Sequence, residues 1–170
     1  MIVAHPDDES IFGGHVLNAD WKVICVTNAN NIKRATEFKN VMNKTGSLCE
    51  MWDFTDHKHY NFGGRETRLL YKLKTEFGAN NYEMIVTHNL TGDYGHLQHK
   101  LLSEIVTKIA NKNILYYFNL TNDGLIVAKN IKQHTKNIYH INTTINLTVE
   151  EINYKNQLLT FYESQKHVIK

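Results

Sequence analysis

Proline is almost absent: Pro6 is the only one in 170 residues. That excludes a proline-rich linker or a polyproline recognition tract, and no shift in composition marks a domain boundary. Cysteine is nearly as scarce, with only Cys25 and Cys49. Two thiols do not make a disulfide framework, so a hydrophobic core must hold the fold, and a reducing compartment is the default expectation. No apolar run approaches the roughly 20 residues of a membrane span. The first residues turn acidic at Asp7-Asp8-Glu9 before a signal-peptide core could form, so a cytoplasmic location is expected. Nor is there an excess of one charge. Nineteen Lys and Arg stand against seventeen Asp and Glu, a net charge of +2, and they are scattered as on solvated helix faces. No nucleic-acid footprint follows from that distribution.

What is present is an apolar fraction of 42%, enough for one core in a single domain spanning residues 1–170. Short apolar runs alternate with helical stretches, the pattern of an α/β fold with a largely parallel sheet. Strands are expected at Ile2 to Ala4, Trp21 to Asn28, Leu48 to Phe54, Tyr82 to His88, Asn113 to Leu120 and Gly124 to Ala128. Helices are expected at Asn31 to Lys44, with Ile32, Ala35, Phe38, Val41 and Met42 at helical spacing, and at Arg65 to Phe77. A further helix is expected at His96 to Ala110, with Leu97, Leu101, Ile105 and Ile109 at spacings of four and Leu97 and Leu101 toward the core. The last is expected at Thr148 to Ser164, opened by the capping-box spacing of Thr148 and Glu151. The first strand is abbreviated: only Met1 to Ala4 precede the motif described next, so either the strand is short or the chain begins inside a longer protein.

Two segments carry chemistry. Ala4-His5-Pro6-Asp7-Asp8-Glu9 ends the first apolar run and precedes a helical stretch at Ile11 to Leu17. It therefore sits at the carboxyl edge of the sheet, where open α/β folds bind ligands. Thr87-His88-Asn89-Leu90-Thr91-Gly92-Asp93-Tyr94-Gly95-His96-Leu97-Gln98-His99 begins at the same edge of another strand. The spacing of three between His96 and His99 puts both imidazoles on one helix face. Each segment taken singly has a bland reading, Asp7 or Asp8 as a helix cap and the histidines as surface residues. Together they offer His, Asp and His from two strand ends. Two histidines and a carboxylate with an open fourth position form a common catalytic zinc design. A further carboxylate can act as general base, and a further histidine can stabilise an oxyanion or protonate a leaving amine.

These motifs resemble those of the PIG-L (LmbE-like) N-deacetylases. Ala4-His5-Pro6-Asp7-Asp8-Glu9 with Gly13-Gly14 resembles their first signature, and Gly92-Asp93-Tyr94-Gly95-His96-Leu97-Gln98-His99 their second. Arg34-Ala35-Thr36-Glu37 resembles the Arg-x-x-Glu that opens their second helix, and Ser164-Gln165 their closing pair. The resemblance implies a Rossmann-like three-layer α/β fold with a mostly parallel sheet and one Zn2+ per chain, with Fe2+ as an alternative ion. It implies His5, Asp8 and His99 as metal ligands, Asp7 as general base, His96 acting on the tetrahedral intermediate and leaving amine, and Tyr94 reaching the substrate carbonyl. The implied substrate is a small molecule or glycoconjugate bearing N-acetylglucosamine.

The chain departs from the family pattern in its abbreviated first strand and at two further places. Gln98 stands where the second signature has Asp, so His96 is expected to titrate lower than in a typical relative, because a neutral amide gives no charge stabilisation. Asn28-Ala29-Asn30-Asn31 replaces an acidic, glycine-containing loop that reads the sugar. The rival from another class is a non-catalytic carbohydrate-binding module on the same fold. Dinucleotide binding ranks low, because no G-x-G-x-x-G follows the first strand. For His57 and His59 two readings stand, a solvated loop, which is favoured, and a His-x-His metal-binding loop overhanging the site; His88 reads as a neighbour of the metal ligands. For Arg34 two readings stand, a substrate phosphate contact and an internal pair with Glu37.

Overall fold

The computed structural model describes residues 1–57, 61–118 and 147–167. The strand expected at 124–128, the end of the one expected at 113–120, and His59 lie outside the described residues. The chain forms two compact units, Met1–Asp56 with Ile145–Lys170, and His57–Thr144.

In the first unit β1 (Ile2–Val3), β2 (Lys22–Thr27) and β3 (Leu48–Phe54) form a parallel sheet in the order β1-β2-β3. Ile2 pairs with Ile24 and Lys22 with Leu48, and the β2–β3 register shifts between Cys25 and Thr27. Val23, Ile24, Cys25 and Val26 are all buried, as a parallel strand covered on both faces requires. After β1 the chain enters α1 (Asp8–Gly13), which tightens into a 3-10 turn at Gly14–Val16. α2 (Ile32–Thr45) buries Ala35, Phe38, Val41 and Met42. Asn31 caps its start by accepting the Arg34 backbone N–H at 3.3 Å, and Gly46 ends it in the left-handed conformation at φ 75°. Ile32, read as part of the apolar stripe, is 85% exposed, because it opens the helix, one turn before the stripe meets the sheet.

In the second unit α3 (Glu66–Ala79) buries Leu69 and Leu73. β4 (Ile85–Thr87) pairs in parallel with the strand that follows α4 (Leu97–Ile109), namely β5 (Leu115–Tyr117). β4 is shorter than the run Tyr82 to His88 suggests. Its ladder covers only the three pairs Ile85–Leu115, Val86–Tyr116 and Thr87–Tyr117, while the Tyr82 hydroxyl bonds to Glu76 on α3. α4 is turned differently from the expected stripe. Leu97 is exposed, whereas Gln98, His99, Leu102, Ser103, Ile105 and Val106 are buried. The polar motif itself faces inward, so the leucine spacing does not mark the core side.

Returning to the first unit, α5 (Val149–Leu159) opens with a formed capping box. Thr148 Oγ1 accepts the Glu151 N–H at 3.2 Å, and the Glu151 carboxylate accepts the Thr148 N–H at 2.7 Å. The helix packs on α1 and the turn after it, and a Cβ at Gly14 would lie 3.4 Å from Lys155 Cγ. It stops before the expected Ser164, and Glu163–Gln165 forms a separate 3-10 turn. Among the described residues every strand pairing is parallel, and the architecture is a Rossmann-like α/β fold.

Candidate functional site

The first cluster grows from the end of β1. The His5 N–H donates to Asp8 Oδ2 at 2.8 Å. The His5 ring lies between two carboxylates, with Nδ1 3.3 Å from Asp8 Oδ2 and Nε2 3.5 Å from Asp56 Oδ1. Asp56 in turn accepts from the Asn28 amide at 2.8 Å. Asp56 was missed in the sequence because it sits in a polar stretch that reads as loop, and only the return of β3 to the sheet edge brings it to His5.

Asp7 has φ 112°, a backbone conformation that side-chain-bearing residues rarely adopt. Such positions cost on the order of 1–3 kcal/mol and persist only when neighbours over-determine them. Here the neighbours are identifiable. Glu9 accepts the Asp7 N–H at 3.1 Å, and the Asp7 carbonyl accepts from Ser10 and Ile11 at the start of α1. Arg34 donates to the Pro6 carbonyl and stands 3.6 Å from Asp7 Oδ1. Glu9 is fully buried, and its other oxygen takes the hydroxyls of Ser10 and Tyr162, each at 2.6 Å. Burial pushes the Glu9 carboxyl up, and these donors oppose the shift. Burial first, and then the adjacent Asp8 charge, push Asp7 up to about 8, with Arg34 opposing and Glu9 reinforcing.

Arg34 and Glu37 therefore do not pair with each other. Arg34 reaches the Pro6–Asp7 turn, and its Nη1 is buried with no hydrogen-bond partner. Glu37 accepts the Ser164 N–H at 2.8 Å and the Ser164 hydroxyl at 2.5 Å.

The second cluster grows from the end of β4. Asn89 organises the loop: its side-chain oxygen accepts the N–H groups of Thr91 at 3.0 Å and Asp93 at 2.9 Å, and its amide donates to the Phe118 carbonyl. Gly92 at φ 75° permits the turn into α4, and a Cβ there would fall 2.5 Å from the His96 carbonyl oxygen. Asp93, at φ 61°, turns its carboxylate inward. Its Oδ2 lies 2.5 Å from His88 Nδ1 and 2.9 Å from His99 Nδ1, and the two imidazoles stack with centroids 3.8 Å apart. Burial alone would raise the Asp93 carboxyl, but the hydrogen bonds from His88 and His99 outweigh it and hold it below the ordinary carboxylate range. Sequence reasoning missed Asp93. The available signal was an acidic residue between two glycines, six positions before a histidine.

His96 caps α4, its Nδ1 accepting the Gln98 N–H at 3.3 Å, which leaves Nε2 as the protonated nitrogen of the neutral ring. Its ring centroid is 4.5 Å from that of His99. Tyr94 is 66% exposed and meets both imidazoles edge-on, at 6.0 Å from His96 and 5.4 Å from His99. Gln98 is buried, and its side-chain oxygen accepts the His57 N–H at 3.3 Å. His57 itself is exposed, in keeping with a solvated loop.

Within the first unit the structure thus gathers His5, Asp7 and Asp8, and within the second Tyr94, His96 and His99. Both clusters consist of buried or half-buried groups of the types that bind divalent metals or move protons, apart from the exposed Tyr94. A carboxyl whose proton affinity is raised toward neutrality can exchange protons at ordinary pH. Among the described residues no helix is long and apolar enough to cross a membrane.

A family model described as PIG-L, GlcNAc-PI de-N-acetylase, matches residues 1–110. That span holds both clusters except for the residues contributed by the C-terminal segment. Among curated proteins, the uncharacterized protein L374 of Acanthamoeba polyphaga mimivirus is 37% identical, over 77% of this chain and 67% of that protein.

Proposed function

Since the chain belongs to the PIG-L family of GlcNAc-PI de-N-acetylases, we propose that it is a metal-dependent hydrolase removing the N-acetyl group from an N-acetylglucosamine-containing substrate. The observation that carries this reading is the Asp7–Asp8 pair at the end of β1, with Asp7 held at φ 112° and its carboxyl pushed up to about 8.

His5, Asp8 and His99 are the proposed ligands of one Zn2+, with Fe2+ as an alternative ion. The donor chemistry fits: two imidazoles and a carboxylate, all buried, with another carboxylate behind each imidazole. When bound, the ion supplies Lewis acidity toward an amide carbonyl and makes water easier to deprotonate.

The remaining work falls to side chains. Asp7 takes the proton of the attacking water, from its place beside the proposed ligand Asp8 at the start of α1. His96, whose Nε2 carries the proton while Nδ1 accepts at the helix cap, donates a hydrogen bond to the tetrahedral intermediate, and Asp7 passes the proton it took from the water to the departing amine. Tyr94, exposed beside both imidazoles, donates its hydroxyl to the carbonyl oxygen. Arg34 holds the Pro6–Asp7 turn, and its unpartnered Nη1 is a donor for a substrate oxygen.

The test is metal content followed by acetate release from a panel of N-acetylglucosamine conjugates and simple acetamides. About one zinc per chain is expected, with turnover lost in Asp7→Ala and His99→Ala and zinc retained in Asp7→Ala. A zinc-loaded protein that binds a sugar yet releases no acetate would favour a non-catalytic carbohydrate-binding module instead.

A further inference from the structure

Position 98 is Gln, and its side-chain oxygen is engaged with the His57 N–H. The helix thus brings no carboxylate to the imidazoles at this position. The loop before it does. Asp93 is 4% exposed, and one of its oxygens faces the Nδ1 atoms of two fully buried histidines, His88 at 2.5 Å and His99 at 2.9 Å. A carboxylate oxygen only accepts, so each facing nitrogen carries the proton, and the neutral rings keep their lone pairs on Nε2. The carboxylate is itself fixed: Asp93 Oδ1 accepts the Asn89 N–H at 3.3 Å, and the Asp93 N–H returns to the Asn89 side chain at 2.9 Å. His88 stacks on His99 with ring planes 20° apart, which leaves the His99 ring little freedom to turn.

We infer that Asp93 is the positioning residue of His99: from the Asn89–Asp93 loop it supplies an orienting carboxylate to Nδ1, and it presents His99 through Nε2. This rests on the reading of His99 as a metal ligand. Outer carboxylates of this kind set the tautomer and ring direction of a ligating histidine, and their loss typically weakens metal binding about 10–100-fold.

The backbone at Asp93 dictates the variants. At φ 61° Asn and Gly are tolerated where Ala is strained. Asp93→Asn keeps the shape and removes the charge, and Asp93→Gly removes the side chain. Two readouts apply to the purified chain. One is the tautomer of His99 in the metal-free protein, from long-range 1H–15N imidazole correlations. The other is zinc affinity by chelator competition.

The expected result is the Nδ1–H tautomer at His99 in the wild type, its loss in Asp93→Gly, and zinc affinity weaker by about 10–100-fold in both variants. A merely structural role would lower thermal stability while leaving affinity at the wild-type level, and that outcome overturns the inference. An Nε2–H tautomer at His99 in the wild type overturns it as well. His99→Ala separates the two levels. Wild-type zinc affinity in that variant overturns the ligand reading and this inference with it. Affinity that depends on His99 but not on Asp93 overturns the positioning role alone.

Discussion

Asp7 combines an unusual backbone with an unusual charge environment. Its φ of 112° is held by Glu9 and by the start of α1, and its side chain lies against Asp8 and Arg34. If it is the general base, Asp7→Asn should lower acetate release by about 10²–10⁴-fold while zinc stays bound, measured by turnover and metal content on one sample. The same residue makes stability depend on pH in the metal-free protein. Its carboxyl titrates from an ordinary 3.8 up to about 8 in the fold. Between those values the folded state binds more protons than the unfolded one, so stability falls as pH rises through that window. Denaturant melts of the metal-free wild type should show this decline, and Asp7→Asn should flatten it.

The elements around the clusters are set by capping and by glycine. Gly92 is where β4's loop becomes α4, and a methyl group there would strike the His96 carbonyl at 2.5 Å in a conformation that L-residues disfavour by about 1–2 kcal/mol. Gly92→Ala should therefore destabilise by at least that amount and displace His96. A lowered urea midpoint, with turnover reduced beyond the loss of folded protein, is the expected observation. α5 depends on its capping box. Thr148→Ala removes one of the two reciprocal bonds and should cost about 1 kcal/mol, without effect on zinc affinity, since the box is exposed.

For the whole chain, the residues after α5 tie sequence-distant parts of the first unit together. Tyr162 donates to Glu9 across 153 residues, and Ser164 to Glu37 across 127. Arg34 and Glu37 thus lie one turn apart on α2 and serve different partners, the Pro6–Asp7 turn and the chain's last segment. Tyr162→Phe leaves Glu9 buried with one donor fewer and should destabilise by about 1–3 kcal/mol, read as a shift in denaturant midpoint. Metal should act in the opposite direction. Zinc at 100 times its Kd should stabilise the native state by about 2.7 kcal/mol, and a chelator should reverse the shift. His99→Ala should abolish the response if His99 is a ligand.

Much of this was legible in the one-dimensional pattern. The stretch Trp21 to Asn28 read as a strand, Thr148 and Glu151 announced a helix start, and Leu48 to Phe54 appeared as a strand with its observed limits. These features depend on neighbours within a few residues, where backbone preference and apolar period act directly. The order of His5-Pro6-Asp7-Asp8, Arg34-x-x-Glu37 and His96-x-x-His99 likewise determined the family. What the pattern left undecided was decided by partners far away in sequence. Leucine spacing pointed α4's Leu97 toward the core, yet the burial of Gln98 and His99 turned the helix the other way. Arg34 had Glu37 within reach on its own helix but bonds to the turn after β1. Asp56 and Asp93 looked like ordinary loop acids until the strand ends brought them to His5 and to His88 and His99. Local preference sets which elements form; which side chains share a buried charge is settled only when distant segments desolvate it together, because an unpaired buried carboxylate or imidazolium costs more than any local preference supplies.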